Sequence, residues 1–213
     1  MTNFEKDMTS LRQAGVEGFD IFTKEELSFF KDKKCRVANH NKLLAGHLKE
    51  EYQIKTPEYF EQRLQEYIPK SEILLYELQK RFPVNSHYST LKLGKVWVNF
   101  QKKHEFNPVH RHDGVLSMVV FIQIPYDLEK EDALFRANSN FTSRLQFQVI
   151  DNMGEISPVT CNVDKSYEGK ILIFNARKFH CVYPFYTSNK YRITASGNFL
   201  FNLENYDKNK PAE

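Results

Sequence analysis

The pattern of hydrophobic and polar positions changes near residue 90, from helical spacing before it to strand-like runs after it. In the first part, cap residues followed by acids and by apolar residues three or four positions apart predict helices. These predictions place helices after Thr23, after Thr56, from about Ser71 to Arg81 and, on a weaker pattern, from Asn41 to Tyr52.

After residue 90 the chain consists of short β-branched and aromatic runs that are separated by turn-like segments. Strands are predicted at residues 95–100, 115–124, 144–150, 170–174 and 191–201. Few helices fit between these runs, which disfavours a parallel α/β sheet and favours closely spaced antiparallel strands. The predicted fold class is α+β, a double-stranded β-helix (jelly roll) with N-terminal helices packed outside.

The same change of pattern predicts three parts along the chain. Residues 1–88 are expected to form a helical N-terminal segment that packs on the core, and residues 89–205 to form the jelly-roll core. Residues 206–213 are expected to be a flexible tail. Residues 127–143 are polar and lack apolar periodicity, so we expect a mobile loop there.

Composition and charge narrow the class of protein. The chain is 41% hydrophobic and 14% aromatic, which is enough for a core and argues against disorder. With 30 Lys and Arg against 27 Asp and Glu, the charge is too balanced to indicate a nucleic-acid partner. The longest apolar stretch, Val115 to Ile124, is too short to span a bilayer. Three widely spaced cysteines suit a reducing compartment, so we expect a cytoplasmic protein.

The most informative stretch runs from Asn107 to Gly114 and contains two histidines separated by one residue. His110 and His112 lie on the same side of an extended chain, because side chains alternate with period two. They can therefore present two imidazoles to one metal ion. The other interpretation is an exposed polar loop in which the histidines occur by chance.

Later residues add to this pattern. His180 follows a buried-looking strand, and Arg192 lies in a further strand with Thr194 two positions on, on the same face. A buried strand rarely carries a guanidinium unless an anion meets it, although an internal salt bridge or an outward-facing arginine also fits.

These residues resemble the Fe(II)- and 2-oxoglutarate-dependent oxygenases, particularly the small bacterial and phage members with a prolyl-hydroxylase-like jelly roll. The resemblance runs from about Trp97 to Asn198 and rests on the segments WVNFQKKHEFNPVHRHDGVLSMVVFIQIPYDL, GKILIFNARKFHCVYPF and YRITASGNF. It implies Fe(II) as the metal and 2-oxoglutarate as the co-substrate. It also implies a dioxygenase that hydroxylates a C–H bond of a small-molecule or peptidyl substrate and converts 2-oxoglutarate to succinate.

The resemblance makes His110 the first metal ligand and His180 the distal one. The family's usual aspartate is replaced by His112, and Asp113 follows it. The alternation of side chains along an extended chain favours His112 as the third ligand, with Asp113 orienting an imidazole. Charge favours Asp113, since a carboxylate would partly neutralise Fe(II). Of the two, we favour His112.

The resemblance also implies a site for the co-substrate, whose far carboxylate would pair with Arg192 and Thr194. Asn99 either hydrogen-bonds the keto acid or faces solvent, and the solvent-facing interpretation is favoured. Aromatic residues around Trp97, Phe121 and Phe174 either wall the pocket or belong to the core.

Two other functions stay open on the sequence alone. Three histidines with a water molecule also describe a catalytic zinc site, as in a cupin-like zinc enzyme, although Arg192 would have no role there. The other alternative is a non-catalytic jelly-roll module that binds a ligand and whose histidines are structural.

Overall fold

Two antiparallel β-sheets form the body of the protein in a computed structural model that describes residues 1–68, 71, 76 and 91–201. The strands are β1 (Val16–Asp20), β2 (Arg36–Asn39), β3 (Glu51–Ile54), β4 (Leu91–Gln101), β5 (Asn107–His110), β6 (Leu116–Gln123), β7 (Leu145–Ile150), β8 (Ile156–Cys161), β9 (Lys170–Asn175), β10 (His180–Val182) and β11 (Arg192–Phe201). The α-helices are α1 (Asn3–Gln13), α2 (Lys24–Ser28), α3 (Glu58–Tyr67) and α4 (Leu128–Ala133).

The described strands pair in two sheets that face each other. The larger sheet has the order β1-β9-β6-β11-β4-β3-β2, and the smaller one has the order β5-β10-β7-β8. Neighbouring strands are antiparallel and mostly distant in sequence, so the sheets close over a shared interior. This is the predicted jelly roll, and the predicted fold class is confirmed.

Alternation along the strands of the larger sheet gives it two differently packed faces. On β11, Ile193 and Ala195 pack in an apolar cluster with α2 and α3, where Phe60 and Leu64 are buried. Residues at positions 192, 194 and 196 point to the opposite face and line a cavity between the sheets. Helices α2 and α3 therefore cover one face of the sheet, whereas the other face holds the cavity and a second apolar cluster, to which α1 contributes Phe4, Met8 and Leu11.

Capping boxes fix the starts of two helices, since each one satisfies backbone N–H groups that the first turn leaves without partners. The Thr23 hydroxyl accepts from Glu26 N at 3.2 Å, and the Glu26 carboxylate accepts from Thr23 N at 2.8 Å. The same exchange between Thr2 and Glu5 begins α1. The predicted helices after Thr23 and after Thr56 are both present, the second beginning at Glu58.

The N-terminal segment is less helical than predicted. Besides α1, α2 and α3 it contributes β1, β2 and β3 to the larger sheet, so the predicted helical segment also contains strands in the described residues up to 68. The predicted helix from Asn41 to Tyr52 is wrong. A short 3-10 turn at Asn41–Leu43 is followed by a loop and then by β3, because Glu51 to Ile54 pair with β4.

Residues 127–143 are held in place rather than free. They include α4, whose Glu131 is fully buried and accepts hydrogen bonds from Tyr186 N, from Thr187 N and from the Thr187 hydroxyl, at 2.6 to 3.0 Å. Arg144 and Asp132 form an ion pair at 2.8 Å. The sequence did not predict these contacts because both partners of Glu131 lie in a distant loop.

Several predictions fall on residues that the structure does not describe. The predicted helix from about Ser71 to Arg81, the boundary near residue 88 and the tail at 206–213 all lie wholly or largely there. In the described ranges, no helix has both the length and the apolar content to cross a membrane. The three cysteines, Cys35, Cys161 and Cys181, are free and buried.

Candidate functional site

Three histidines meet at one side of the cavity, and the β-sheet register brings them there. His110 on β5 pairs directly with His180 on β10. His112 follows β5, and its backbone N–H donates to Ala176 O at 2.8 Å. One ring nitrogen from each histidine lies within 4.8 Å of the other two. Imidazole nitrogens bound to one ion at about 2.1 Å lie roughly 3 Å apart, and His112 Nε2 is 3.3 Å from His180 Nε2.

Hydrogen bonds to backbone carbonyls fix which ring nitrogen is free on two of the histidines. His110 Nδ1 donates to Pro108 O at 2.7 Å, and His180 Nδ1 donates to Lys178 O at 3.0 Å. Each ring therefore turns its Nε2 lone pair toward the cavity, as metal-binding imidazoles do. Burial lowers the pKa of His110, and it lowers the pKa of His112 to about 4 and of His180 to about 3. All three rings are neutral at pH 7, the state in which imidazole binds a metal.

Asp113 does not join this group. The chain bends at Asp113 and Gly114, and Gly114 has a φ of +112°, a backbone conformation that favours glycine. The bend leaves the Asp113 side chain exposed, while His112 is turned inward beside Trp97, with ring centroids 5.7 Å apart.

Arg192 is buried, with 3% of its surface exposed, and it also lines the cavity. Its Nε and Nη2 donate to Gln101 Oε1 at 2.9 and 2.6 Å. The other N–H groups donate to the Tyr126 hydroxyl, Ser143 O and Tyr183 O, at 2.7 to 3.2 Å. All these described partners are neutral, so a buried positive charge is solvated by dipoles alone, an arrangement that favours an incoming anion.

A row of side chains crosses the larger sheet in front of the histidines. Glu51 on β3, Asn99 on β4 and Thr194 on β11 are register partners and share the cavity-facing side. Asn99 Nδ2 donates to Thr194 Oγ1 at 3.2 Å. Asn99 is 7% exposed, so the interpretation that it faces solvent is wrong. The aromatic residues Trp97 and Phe174 do line the cavity.

Sequence reasoning missed Glu51 and the loop that precedes β3. Leu44, Ala45, Gly46 and Leu48 line the cavity, whereas residues 127–143 do not. The loop is fastened by Asn41, which donates to Leu48 O and accepts from Glu51 N, and by His47 N, which donates to Phe106 O. The sequence signal available was a pair of acids, Glu50 and Glu51, next to Lys49, which equally fits an exposed helix face.

The fold and the site together define a jelly-roll protein with a three-histidine group and a buried arginine in one cavity. The family of putative 2OG-Fe(II) oxygenases matches residues 95–198, which contain all of these side chains. The resemblance found in the sequence is confirmed over this range. The match supports Fe(II) as the metal and 2-oxoglutarate as the co-substrate, and the three neutral imidazoles and the arginine are of the right kind to hold them.

Solved structures show the same fold at low sequence identity. A Pseudomonas putida prolyl-4-hydroxylase superposes with a TM-score of 0.51 at 12% identity, covering 92% of this chain and 98% of that one. OsALKBH1 superposes with a TM-score of 0.52 at 11% identity, covering 86% of this chain and 97% of that one. At these identities the likeness concerns the fold alone. A search of curated proteins gave no significant match.

Proposed function

We propose that the protein is an Fe(II)- and 2-oxoglutarate-dependent dioxygenase that hydroxylates a C–H bond, with His110, His112 and His180 as the metal ligands. The observation that carries the proposal is the presence, in one cavity, of three converging imidazoles and a buried arginine whose described partners are all neutral. With the metal, the keto acid and oxygen bound, the site supplies decarboxylation of 2-oxoglutarate to succinate coupled to oxidation of the substrate.

The chain's own groups bind and orient in this scheme. The carbonyls of Pro108 and Lys178 hold two rings with Nε2 toward the metal. Arg192 binds the far carboxylate of the keto acid at the Nε and Nη2 edge, where the Gln101 amide oxygen now accepts two hydrogen bonds. Thr194 and Asn99 lie beside this position in the strand register and complete the co-substrate site.

Arg192 is also the residue that favours this function over the alternatives. A zinc enzyme on a cupin-like barrel uses histidines and water, and it has no need for a buried guanidinium at the same cavity. A binding module with structural histidines has no need for three rings whose free nitrogens converge. Asp113 is exposed, so in this proposal it is not a ligand.

The substrate in this proposal is a small molecule or a peptidyl side chain that enters the cavity past the loop at residues 44–48. The formal net charge is only +3, so the proposal includes no nucleic-acid partner. The three free cysteines fit a reducing compartment, and we place the reaction in the cytoplasm.

The test is anaerobic addition of Fe(II) and 2-oxoglutarate to the metal-free protein, followed by visible difference spectroscopy. We expect the metal-to-ligand charge-transfer absorption of the chelate, saturating at one Fe(II) per chain, and oxygen uptake when air is admitted. Zn(II) in place of Fe(II) is the control that gives no visible band. If neither a band nor 2-oxoglutarate-dependent oxygen uptake is found, the proposal is wrong.

A further inference from the structure

Glu51 is a buried carboxyl group whose hydrogen bonding is incomplete. Its residue is 1% exposed, and its Oε2 has no hydrogen-bond partner among the described residues. Two more buried oxygens at the same cavity, Asn99 Oδ1 and Asn107 Oδ1, also lack a donor. Buried polar atoms are nearly always hydrogen-bonded in folded proteins, so three acceptors at one cavity indicate a ligand that brings donors.

Two of these groups pack closely against the backbone of a glycine, Gly46. A Cβ on Gly46 would stand 2.5 Å from Asn107 Oδ1 and 2.8 Å from Glu51 Oε1. The backbone of Gly46 does not have a positive φ, so its conformation does not require glycine. The missing side chain therefore lets two acceptor oxygens, one from β3 and one from β5, come close together at Gly46.

From these contacts we propose that the substrate carries an alkylammonium group, free or at the end of a peptidyl side chain, and that Glu51 binds it. An ammonium has three N–H donors and no acceptor, which complements a carboxylate and two amide oxygens. This inference rests on the proposed function, because it names the substrate class of the same cavity.

The charges of the cavity would bind the keto acid and the ammonium group of the substrate at opposite ends. Glu51 on β3 lies two strands away from Arg192 on β11, about 10 Å across the sheet. The arginine end attracts the dianionic keto acid, whereas the Glu51 end repels it and attracts a cation. Burial raises the pKa of Glu51 to about 7, and the negative charge of Glu105 adds to this increase. A bound cation would offset both effects.

The experiment uses the one tryptophan in the sequence, because Trp97 lines the same cavity and is 5% exposed. The full-length, metal-free protein is titrated with n-pentylammonium and, separately, with 1-pentanol while Trp97 fluorescence is recorded. The titrations are run at about pH 8.5, where the carboxylate and the ammonium are both charged. We expect n-pentylammonium to bind at least about tenfold more tightly than the alcohol, as for a charge-assisted hydrogen bond.

Glu51→Gln keeps the shape of the side chain and removes its charge, so it should abolish the preference for the ammonium over the alcohol. The matched control is Glu50→Gln, which removes an equal charge from the adjacent residue, whose side chain instead contacts Tyr191 and Lys102. It should bind n-pentylammonium like the wild type. Gly46→Ala adds a methyl group that must push Asn107 Oδ1 and Glu51 Oε1 away from their positions, so it should weaken ammonium binding with the Glu51 charge intact.

Equal affinity for the two probes in the wild type, or an unchanged preference in Glu51→Gln, would overturn the inference. Because the titration needs neither iron nor 2-oxoglutarate, its outcome is independent of the charge-transfer test. A protein that forms the Fe(II)–keto acid band but shows no ammonium preference is an oxygenase for a different substrate class. A protein that shows the preference without the band supports the cation site and contradicts the proposed function.

Discussion

His110 and His180 are direct partners across β5 and β10, and their ring centroids lie 4.2 Å apart. The two residues come from distant parts of the chain, so the pairing of two strands, and not local sequence, creates the contact. A metal held between them depends on that register. A shift of one residue would turn one of the rings to the other face of the smaller sheet.

We expect His180→Gln to weaken iron binding by about 100-fold or more, because outer-shell changes alone commonly cost 10- to 100-fold. Glutamine fills most of the space of the imidazole but does not present its Nε2 lone pair. The measurement is Fe(II) affinity from the charge-transfer band, with circular dichroism to show that the fold is retained. His104→Asn is the control, since His104 contacts Tyr186 outside the cavity and its φ of 69° is tolerated by asparagine. Iron affinity that stays at the wild-type value in His180→Gln would remove His180 from the ligand set.

The third ligand is tested by a pair of substitutions at neighbouring positions. His112→Asn is expected to lower iron affinity as strongly as the change at position 180, because its Nε2 is 3.3 Å from His180 Nε2. Asp113→Asn is expected to change iron affinity by less than about threefold, because the effect of an exposed charge is screened. Loss of iron binding in Asp113→Asn alone would show that the bend rearranges to bring in the carboxylate.

The proposed role of Arg192 in binding 2-oxoglutarate is tested by placing a carboxylate side chain beside its guanidinium. Gln101→Glu places a carboxylate where an amide oxygen now accepts from Nε and Nη2 of Arg192, at 2.9 and 2.6 Å. The new ion pair should occupy the guanidinium, and the concentration of 2-oxoglutarate that half-saturates the charge-transfer band should rise by about tenfold or more. Fe(II) affinity should stay the same, since position 101 is not in the three-histidine group. An unchanged requirement for 2-oxoglutarate would show that Arg192 does not bind its carboxylate.

A structural feature can be predicted from this sequence when neighbouring residues determine it. It cannot be predicted when it depends on which strands pair with each other. The strands after residue 90 were predicted because β-branched and aromatic runs are local signals, and all five predicted runs are strands. The grouping of His110 with His112 was predictable because side chains of an extended chain alternate between its two sides with a period of two residues. The burial of Arg192 could be predicted because it lies in an apolar strand. Its neutral partners, Gln101 and Ser143, could not be predicted because they come from other elements.

Glu51 shows why the rest could not be predicted. Leu44, Leu48 and Tyr52 have the spacing of a helix face, which outweighed the four-residue strand that begins at Glu51. In a strand, Tyr52 and Ile54 point to the helices, so Glu51 and Gln53 would be assigned to solvent. Glu51 is buried only because the smaller sheet and the loop at residues 44–48 cover that face, an arrangement that no local pattern encodes.

Glu51 and its neighbour Glu50 should give opposite dependences of stability on pH. Burial raises the pKa of Glu51 from its ordinary value of 4.5 to about 7, so between these values the folded protein holds a proton that the unfolded chain has lost. The contribution of Glu51 to stability is therefore full below pH 4.5 and is lost as the pH rises through 7. Hydrogen bonds from Tyr191 and Lys102 lower the pKa of Glu50, whose contribution is present above pH 4.5 and is lost as the pH falls.

The measurement is the thermal midpoint of each variant minus that of the wild type, from pH 4 to pH 8 in steps of about half a unit. For Glu51→Gln the difference should rise steadily between pH 4.5 and 7, because the variant escapes the cost of ionising a buried carboxyl. For Glu50→Gln it should be negative at pH 7 and become smaller as the pH falls below 4.5. Saturating n-pentylammonium should flatten the Glu51→Gln curve, since the bound cation stabilises the wild-type carboxylate. A flat curve without the ammonium would show that Glu51 ionises as freely as in the unfolded chain, which an acid shielded from water and cations cannot do.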